Sequence, residues 1–353
     1  MRIFQRLLSV LATISCLLIL NTGCGKTGDE GAADGDSRIA VSFVTLPVPT
    51  KAGAVTDAGE VAVNSLDLLA FRTDSGLLDC YAHASGTGTT TVNARVTAGE
   101  SLDWYIIANA PASAALSSFS SRSSFLAART TLSQTTASTM VMHANGTMTF
   151  PKNTTGAPIE VDDIELSRYA CKVSVSNIKV KWLEAFDTAP SCTLDRAVLT
   201  NARGDCAWSG TPSALTGDLW YNCSTDATPE GFLGSLLSWD GPLAMNASGV
   251  NTDVVLYTMS NASEGNGYAT DTPWAPRRTR LCLRLTIGGI QQWYPIDLPA
   301  MQGNRHYVVS ELVINGPGTL QPDMSVERTT VEFRVSIAPW GENTINDVGF
   351  PME

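Results

Sequence analysis

Alternating apolar and polar residues run through most of the chain, which is the pattern that half-buried β-strands produce. The stretch 38–46 is such a strand and leads into the proline-rich loop PVPTKAGAV. The segment 101–111, SLDWYIIANAP, is expected to be the most strongly buried strand of the first half and to end at Pro111. Other strand-like segments of this half are 61–71, 78–84 and 91–99. Helical periodicity is scarce, so the sequence predicts an all-β protein.

Two segments between residues 112 and 150 complete the first half. Residues 112–136 are rich in Ser and Ala and carry Phe119, Phe125 and Leu126, which predicts one short helix. The segment 139–150, TMVMHANGTMTF, reads as a hairpin. The sequence therefore predicts a β-domain with a short helix.

The alternation resumes in a second block, which begins near residue 164. Cys171, Val173 and Val175 share one face of a strand, and Ile178 and Val180 resume the alternation after a slip of one residue, so we expect a bulge near Ser176. Between 183 and 278 the sequence is rich in loops and its order is not predicted. The later predicted strands are 279–289, 291–298, 306–316 and 329–340.

The N-terminal 23 residues have the composition of a signal peptide. Arg2 and Arg6 precede the apolar run 7–20, which is too short for an ordinary membrane span. The run ends in LNTGC, so we expect Cys24 to carry a lipid after cleavage, although Asn21 stands where a lipobox usually has Leu. The alternatives are a signal peptide followed by a chance cysteine, and cleavage at Cys16.

Residues 24–38 are predicted to be a flexible tether, because this stretch is glycine-rich, acidic and without large apolar side chains. Its acidic residues do not have the spacing of an EF-hand loop. After the tether about 315 residues remain, which is enough for two domains of ordinary size. The net charge of −11 argues against nucleic acid as a partner.

Residues for catalysis or for metal binding are few. The three histidines do not belong to an HExxH motif or to a GxSxG motif, and no CxxC pair is present. We expect no cofactor, no metal and no enzymatic activity. Asp162, Asp163 and Glu165 are the one acidic group that offers the carboxylates of a glycosidase, and a solvated loop between domains is the alternative interpretation.

Six cysteines follow Cys24, an even number that permits disulfides in an exported protein. Cys192, Cys206 and Cys223 lie close enough in the sequence for one bridge. Cys171 falls on the apolar face of its strand, so we interpret it as a small buried core residue.

The order of these segments is similar to that of a known family. A lipoprotein leader and an N-terminal strand with a loop lysine come first. They are followed by LDWYIIANAP, ELSRYACKVSV, IQQWYPIDL, GNRHYVVSELVINGPGTLQPD and a last alternating strand ending in PW. Over residues 1–340 this succession resembles the Bacteroidales fimbrillins, the FimA/Mfa-like pilus subunits.

The resemblance implies two tandem transthyretin-like β-sandwich domains, which we place at 39–163 and 164–353. It also implies export as a lipoprotein to the outer membrane and polymerisation into a fimbrium. In this family, strand exchange follows when an Arg- or Lys-specific protease removes the N-terminal strand. The implied partners are other fimbrial subunits, that protease and, through the lipid, the outer membrane.

The removable strand implied by the resemblance is 39–51, with Ile39, Val41 and Phe43 on one face. Lys51 is the only basic residue between Arg38 and Arg72, and it lies in a loop whose prolines prevent a continuing ladder. The resemblance therefore places cleavage between Lys51 and Ala52. An ordinary surface lysine in a loop is the other interpretation.

The best candidate for the inserted strand is TTVEFRVSIA, in which four apolar residues alternate with polar ones. Burying four large apolar side chains from water is worth ~6 to 12 kcal/mol, comparable with the ~5 to 15 kcal/mol of a typical domain. The alternative interpretation of the segment is an edge strand that completes its own domain. Whether the tail GENTINDVGFPME belongs to the donor is left open by the sequence. The four residues are Val331, Phe333, Val335 and Ile337.

The sequence is also compatible with three other functions. A fimbrial anchor would keep both the lipid and the N-terminal strand. A monomeric surface lipoprotein that binds glycans would use the tryptophans scattered between residues 208 and 274 as stacking platforms. A hydrolase would depend on Asp162 or Asp163.

Overall fold

Most regular elements in the described part of the chain are β-strands, as the alternation predicts. The coordinates are those of a computed structural model, and all described residues lie in one unit, Asp36–Glu353. No helix among them is both long and apolar enough to cross a membrane. The structure describes residues 38–47, 58–152, 156–185, 188, 190–210, 219–222, 234–266, 275–322, 324, 331–340 and 346–347.

The N-terminal half contains the predicted short helix, α1 (Arg122–Ala127), whose N-cap is the Ser121 side chain. Short 3₁₀ helices lie at Ala58–Val61, Ala112–Ala114, Leu116–Ser118 and Leu132–Gln134. The strands of this half are β1 (Arg38–Thr45), β2 (Ser65–Arg72), β3 (Leu78–Ser85), β4 (Thr91–Thr97), β5 (Ser101–Ala108), β6 (Arg129–Thr131), β7 (Met142–Thr149), β8 (Ile159–Ile164) and β9 (Ser167–Arg168).

Two sheets form the N-terminal sandwich. One has the order β4-β1-β8 and the other the order β3-β2-β5-β7-β9. The strand predicted to be most buried is β5, at the centre of the larger sheet, where it pairs with β2 and β7. Its side chains Leu102 and Ile106 are fully buried. The apolar inner faces of the two sheets share one hydrophobic core.

The predicted hairpin at 139–150 is wrong, because β7 is one continuous strand. Asn145 and Gly146 lie in the middle of it, opposite Tyr105 and Trp104 of β5. The Trp104 indole lies directly over Gly146, and a Cβ there would be 2.5 Å from the ring atom Cζ2. The glycine therefore permits a close packing contact inside a strand rather than a turn.

The C-terminal half contains a second short helix, α2 (Gly234–Leu237), and a 3₁₀ helix at Lys181–Ala185. Its strands are β10 (Ala170–Val175), β11 (Asn177–Val180), β12 (Cys192–Thr200), β13 (Ala202–Arg203), β14 (Asp205–Ala207), β15 (Trp220–Tyr221), β16 (Ser238–Ala244), β17 (Val250–Asn251), β18 (Val255–Met259), β19 (Arg280–Ile287), β20 (Ile290–Asp297), β21 (Arg305–Ile314), β22 (Val331–Pro339) and β23 (Asn346–Asp347).

These strands form a second sandwich. One sheet has the order β17-β11-β21-β10-β18, with β22 beside β21 and β23 beside β22, and the other has the order β16-β12-β19-β20. The slip predicted near Ser176 is present, since β10 ends before it and β11 begins after it. The parallel partner β21 slips at the same level, where Glu311 has a φ of 52°. Val173 therefore pairs with Tyr307 and Ile178 with Leu312 in one unbroken register.

The two sandwiches are joined by hydrogen bonds and by a continuous hydrophobic core. The short strands β6 and β14 pair across the junction. The hydroxyl of Tyr169 donates to the Trp208 carbonyl at 2.6 Å. The N-terminal sheet continues through β9, so the chain passes to the C-terminal sheet between Arg168 and Ala170.

His143 lies at this junction, with its ring tilted by 30° against the Tyr169 ring at a centroid distance of 4.4 Å. Its imidazole fills the space above Gly210, where the backbone φ of 75° and the near ring both favour glycine. Burial lowers the pKa of His143 to about 4. The folded protein therefore holds this ring neutral at pH values at which the unfolded chain protonates it.

Replacing Gly146 tests the close contact within the strand. Gly146→Ala places a methyl group against the Trp104 indole, so we expect it to lower the free energy of unfolding by ~1 to 3 kcal/mol in urea denaturation. The control is Asn145→Ala, at the exposed neighbouring position, which should change it by less than ~0.5 kcal/mol. Equal values for the two variants would contradict the packing account.

The lowered pKa of His143 predicts that the folded protein loses stability in mild acid. Its folded-state pKa lies below the unfolded value of 6.5, so its contribution is present above pH 6.5 and is lost as the pH falls toward 4. Between pH 7.5 and 4.5 the wild type should lose about 2 kcal/mol more than His143→Gln, measured by urea unfolding at each pH. Parallel pH curves for the two proteins would show that this histidine is not the sensor.

Candidate functional site

The N-terminal strand β1 is the middle strand of its sheet. It pairs antiparallel with β4, where Val41 lies opposite Ala94, and parallel with β8, where Val41 lies opposite Ile159. A middle strand satisfies backbone hydrogen bonds on both of its sides. Its loss would therefore leave two open strand edges with a gap between them.

The inner face of β1 carries the three side chains predicted to share a face. Ile39, Val41 and Phe43 are all buried, and Phe43 is completely inaccessible to solvent. The Phe43 ring lies 5.7 Å from the Trp104 ring and 6.3 Å from the Phe150 ring, with edge-to-face geometry. Burying three such side chains is worth roughly 5 to 9 kcal/mol. The apolar face of β1 therefore contributes strongly to keeping this strand in place.

Polar contacts fix both ends of β1. At its start, the Arg38 guanidinium donates to the carbonyl oxygens of Arg95 and Asp79 at 2.9 and 3.0 Å. At its end, the backbone N–H and the hydroxyl of Thr45 both donate to the Thr90 carbonyl. The Leu46 N–H donates to the Ile164 carbonyl at 2.8 Å. These bonds define the two ends of the β1 site.

The predicted processing residues Lys51 and Ala52 lie outside the described residues, as does the predicted lipidation residue Cys24. The described chain stops at Pro47 and resumes at Ala58, in the 3₁₀ helix Ala58–Val61.

The predicted donor segment corresponds to β22, which lies in the C-terminal sheet. It pairs antiparallel with β21, with an irregularity between Ser310 and Val313. Val331 and Val335 are buried and Ile337 is half-buried, whereas Phe333 is 38% exposed. The four apolar side chains therefore differ in burial.

A buried ionic cluster connects the two halves, and the sequence analysis did not single it out. The Glu60 carboxylate, in the 3₁₀ helix Ala58–Val61, is 1% exposed. It accepts hydrogen bonds from Lys172 Nζ at 2.8 and 3.1 Å, from the Tyr257 hydroxyl at 2.5 Å and from Trp340 Nε1 at 3.0 Å. We call Glu60, Arg168, Lys172, Tyr257 and Trp340 the Glu60 cluster.

Arg168 closes the Glu60 cluster from the side of the N-terminal sheet. Its Nε donates to the Glu60 carbonyl oxygen at 2.9 Å, and its guanidinium lies 4.6 Å from the centre of the Trp340 ring. Burial lowers the pKa of Arg168 to about 10, although the charges of Glu60 and Tyr257 act in the opposite direction. The ion pair of the cluster is Glu60–Lys172, and removing one partner of a buried ion pair typically costs ~3 to 5 kcal/mol.

The acidic group predicted as a possible catalytic pair belongs to a strand edge. Asp162 and Asp163 are exposed residues of β8, not of a loop between domains, and Glu165 follows that strand. With Trp104 and His143 they line an open cleft. Among the described residues, no group of three or more His, Cys, Asp or Glu side chains has the arrangement of a metal site.

Cys192 and Cys206 are not disulfide-bonded, so the bridge predicted among Cys192, Cys206 and Cys223 is wrong. Cys192 begins β12, whereas Cys206 lies in β14 at the domain junction, and Cys223 is outside the described residues. Cys171 is a fully buried core residue, as predicted, and its thiol donates to the Gln302 carbonyl at 3.0 Å. Burial raises its pKa.

The described tryptophans of the glycan platform that the sequence offers pack against the protein itself. Trp208 is 2% exposed and belongs to the core. Trp239 is half-buried against that core, and Trp220 lies 5.9 Å from the Arg203 guanidinium. Trp274 is outside the described residues. The three described tryptophans thus have structural contacts.

Comparison with known proteins identifies the class of fold. No protein-family model and no curated protein matches the chain. A candidate cell adhesion protein from Parabacteroides distasonis has a TM-score of 0.62 and 15% identity, covering 88% of this chain and 98% of its own. Another from Bacteroides eggerthii has a TM-score of 0.60 and 18% identity, with the same coverage.

A fimbrilin from Porphyromonas gingivalis has a TM-score of 0.58 and 14% identity, covering 86% of this chain and 97% of its own. The chain therefore has the all-β sandwich fold of the fimbrilins. The resemblance inferred from the order of the sequence segments is confirmed at the level of the fold.

Truncating Phe43 tests how strongly β1 is held. Phe43→Ala removes a fully buried ring from contact with Trp104 and Phe150, so we expect unfolding to become easier by ~3 to 5 kcal/mol in chemical denaturation. Ser42→Ala, the neighbouring half-buried residue whose hydroxyl donates to Asn93, should cost ~1 kcal/mol. A cost for Phe43→Ala no larger than this would mean that β1 is not anchored by its apolar face.

Proposed function

We propose that this protein is a structural subunit of a cell-surface fimbria with a role in adhesion. Its precursor is lipidated on Cys24, delivered to the outer membrane and cleaved between Lys51 and Ala52 by an Arg- or Lys-specific protease. The subunits then join by strand exchange. The observation that carries this proposal is the position of β1 in the middle of a sheet, directly before the loop that contains Lys51. The shared fimbrilin fold supports it.

The geometry of β1 supports strand exchange in particular. Its departure leaves β4 and β8 with open edges and uncovers the apolar floor at Trp104 and Phe150. An open edge above an exposed core pairs readily with another chain. A strand from a second subunit restores both the hydrogen bonds and the apolar cover.

The proposed donor is the C-terminal segment that contains β22. Val331 and Val335 are already buried in their own domain, so their transfer into a neighbour's groove gains little. Phe333 is 38% exposed and gains burial there. The net free energy gained by strand exchange is therefore smaller than the value for four side chains transferred from water. Much of this free energy comes from covering the apolar groove of the acceptor subunit.

Limited digestion tests both the cleavage after Lys51 and the strand exchange that follows it. Trypsin treatment of recombinant residues 25–353 should give a stable core that begins at Ala52, followed by SDS-resistant ladders. Lys51→Gln should abolish both, whereas Lys152→Gln, at an exposed lysine of the same domain, should abolish neither. The measurements are intact mass and gel electrophoresis without boiling.

A core that retains residues 39–51 and stays monomeric would contradict this proposal. That result would instead indicate a fimbrial anchor, which keeps its strand, or a free-standing surface lipoprotein.

A further inference from the structure

We infer that the Glu60 cluster is a latch, which holds the C-terminal strand β22 in its own domain until β1 has been removed. This inference rests on the proposed strand exchange. The cluster joins two parts of the chain that must both change in that process: the segment after the cleavage site and the end of the donor strand. It thereby makes donation depend on processing.

The first part is the 3₁₀ helix Ala58–Val61. Glu60 follows Lys51 by nine residues, so the cleavable loop leads directly into it. In the unprocessed chain this helix is tethered by β1 on one side and by β2 on the other. On the β2 side, Asn109 Nδ2 donates to the Ala62 carbonyl at 2.7 Å. Cleavage and loss of β1 remove one of the two tethers.

The second part is Trp340, which directly follows β22. Its indole Nε1 donates to Glu60 Oε2 at 3.0 Å, and its backbone N–H donates to the Asn304 carbonyl at 3.0 Å. The ring also stacks on Tyr257 at 5.7 Å. Both the side chain and the main chain of Trp340 thus fix the end of β22.

Burial of the charges couples these two parts. Glu60 and Lys172 are 1% and 3% exposed, so protein groups rather than solvent satisfy their charges in this arrangement. If Trp340 leaves first, the Glu60 carboxylate loses one of its buried donors. If the 3₁₀ helix loosens first, Trp340 loses its acceptor and the end of β22 is freed. Loss of β1 favours the second order, because it removes a tether of that helix.

A mixing experiment separates the ability of a subunit to donate its C-terminal strand from its ability to accept the strand of another subunit. A subunit carrying Lys51→Gln keeps β1, so its own groove is filled and it can only donate. This subunit is labelled with a fluorophore. It is mixed with wild-type subunits that have been processed and then freed of protease, and its incorporation into SDS-resistant oligomers is measured. The variants add Glu60→Gln or Trp340→Phe to Lys51→Gln. Trp340→Phe removes the indole N–H that donates to Glu60 but leaves both members of the Glu60–Lys172 ion pair in place and keeps an aromatic ring at this position.

With the latch intact, the Lys51→Gln subunit should hardly incorporate. Both latch variants should incorporate about tenfold more, since a lost hydrogen bond to a charged group changes an equilibrium by this factor or more. Hydrogen exchange of β22 amides in the unmixed subunits should rise by a similar factor. The matched control is Asp297→Asn, which disrupts the ion pair of buried Arg280 away from β22 and should leave incorporation unchanged.

Two results would overturn the inference. One of them leaves the proposed function intact, and the other excludes it as well. If processed wild type polymerises but neither latch variant incorporates more than its parent, the latch is wrong and the proposed function stands. If processed wild type forms no SDS-resistant oligomers, the proposed function fails and the latch fails with it.

Discussion

The packing of Phe43 between Trp104 and Phe150 is the contact on which the N-terminal sandwich depends. It fixes the inner face of β1, and β1 in turn joins β4 to β8, which have no other link within their sheet. A middle strand is an unusual place for a removable element, because its loss opens two edges at once. The same feature makes a vacated site attractive to another strand of similar pattern.

The Glu60 cluster adds a polar constraint to this apolar one. It joins the 3₁₀ helix Ala58–Val61, which follows the proposed cleavage site in the sequence, to the residue that directly follows β22. Buried ion pairs contribute little to net stability, but they penalise any movement that separates their members. A charged cluster at this position therefore penalises any release of β22 that separates Trp340 from Glu60.

The alternation of side chains predicts most strands, including β1 and β5, because period 2 and one-sided burial reflect the same geometry. It fails at Asn145–Gly146, where a glycine that permits the Trp104 contact looks like a turn. The Glu60 cluster is also invisible to it. Lys172 interrupts an apolar strand, but only the tertiary fold shows that Glu60, 112 positions away, is its partner. Such pairing has no local signal.

The most direct measurement is the N-terminal residue of subunits extracted from fibres on the cell surface, determined by mass spectrometry. Strand exchange after cleavage predicts chains that begin at Ala52, without lipid and without residues 39–51. Chains that begin at a lipidated Cys24 and retain the N-terminal strand within the fibre shaft would contradict it.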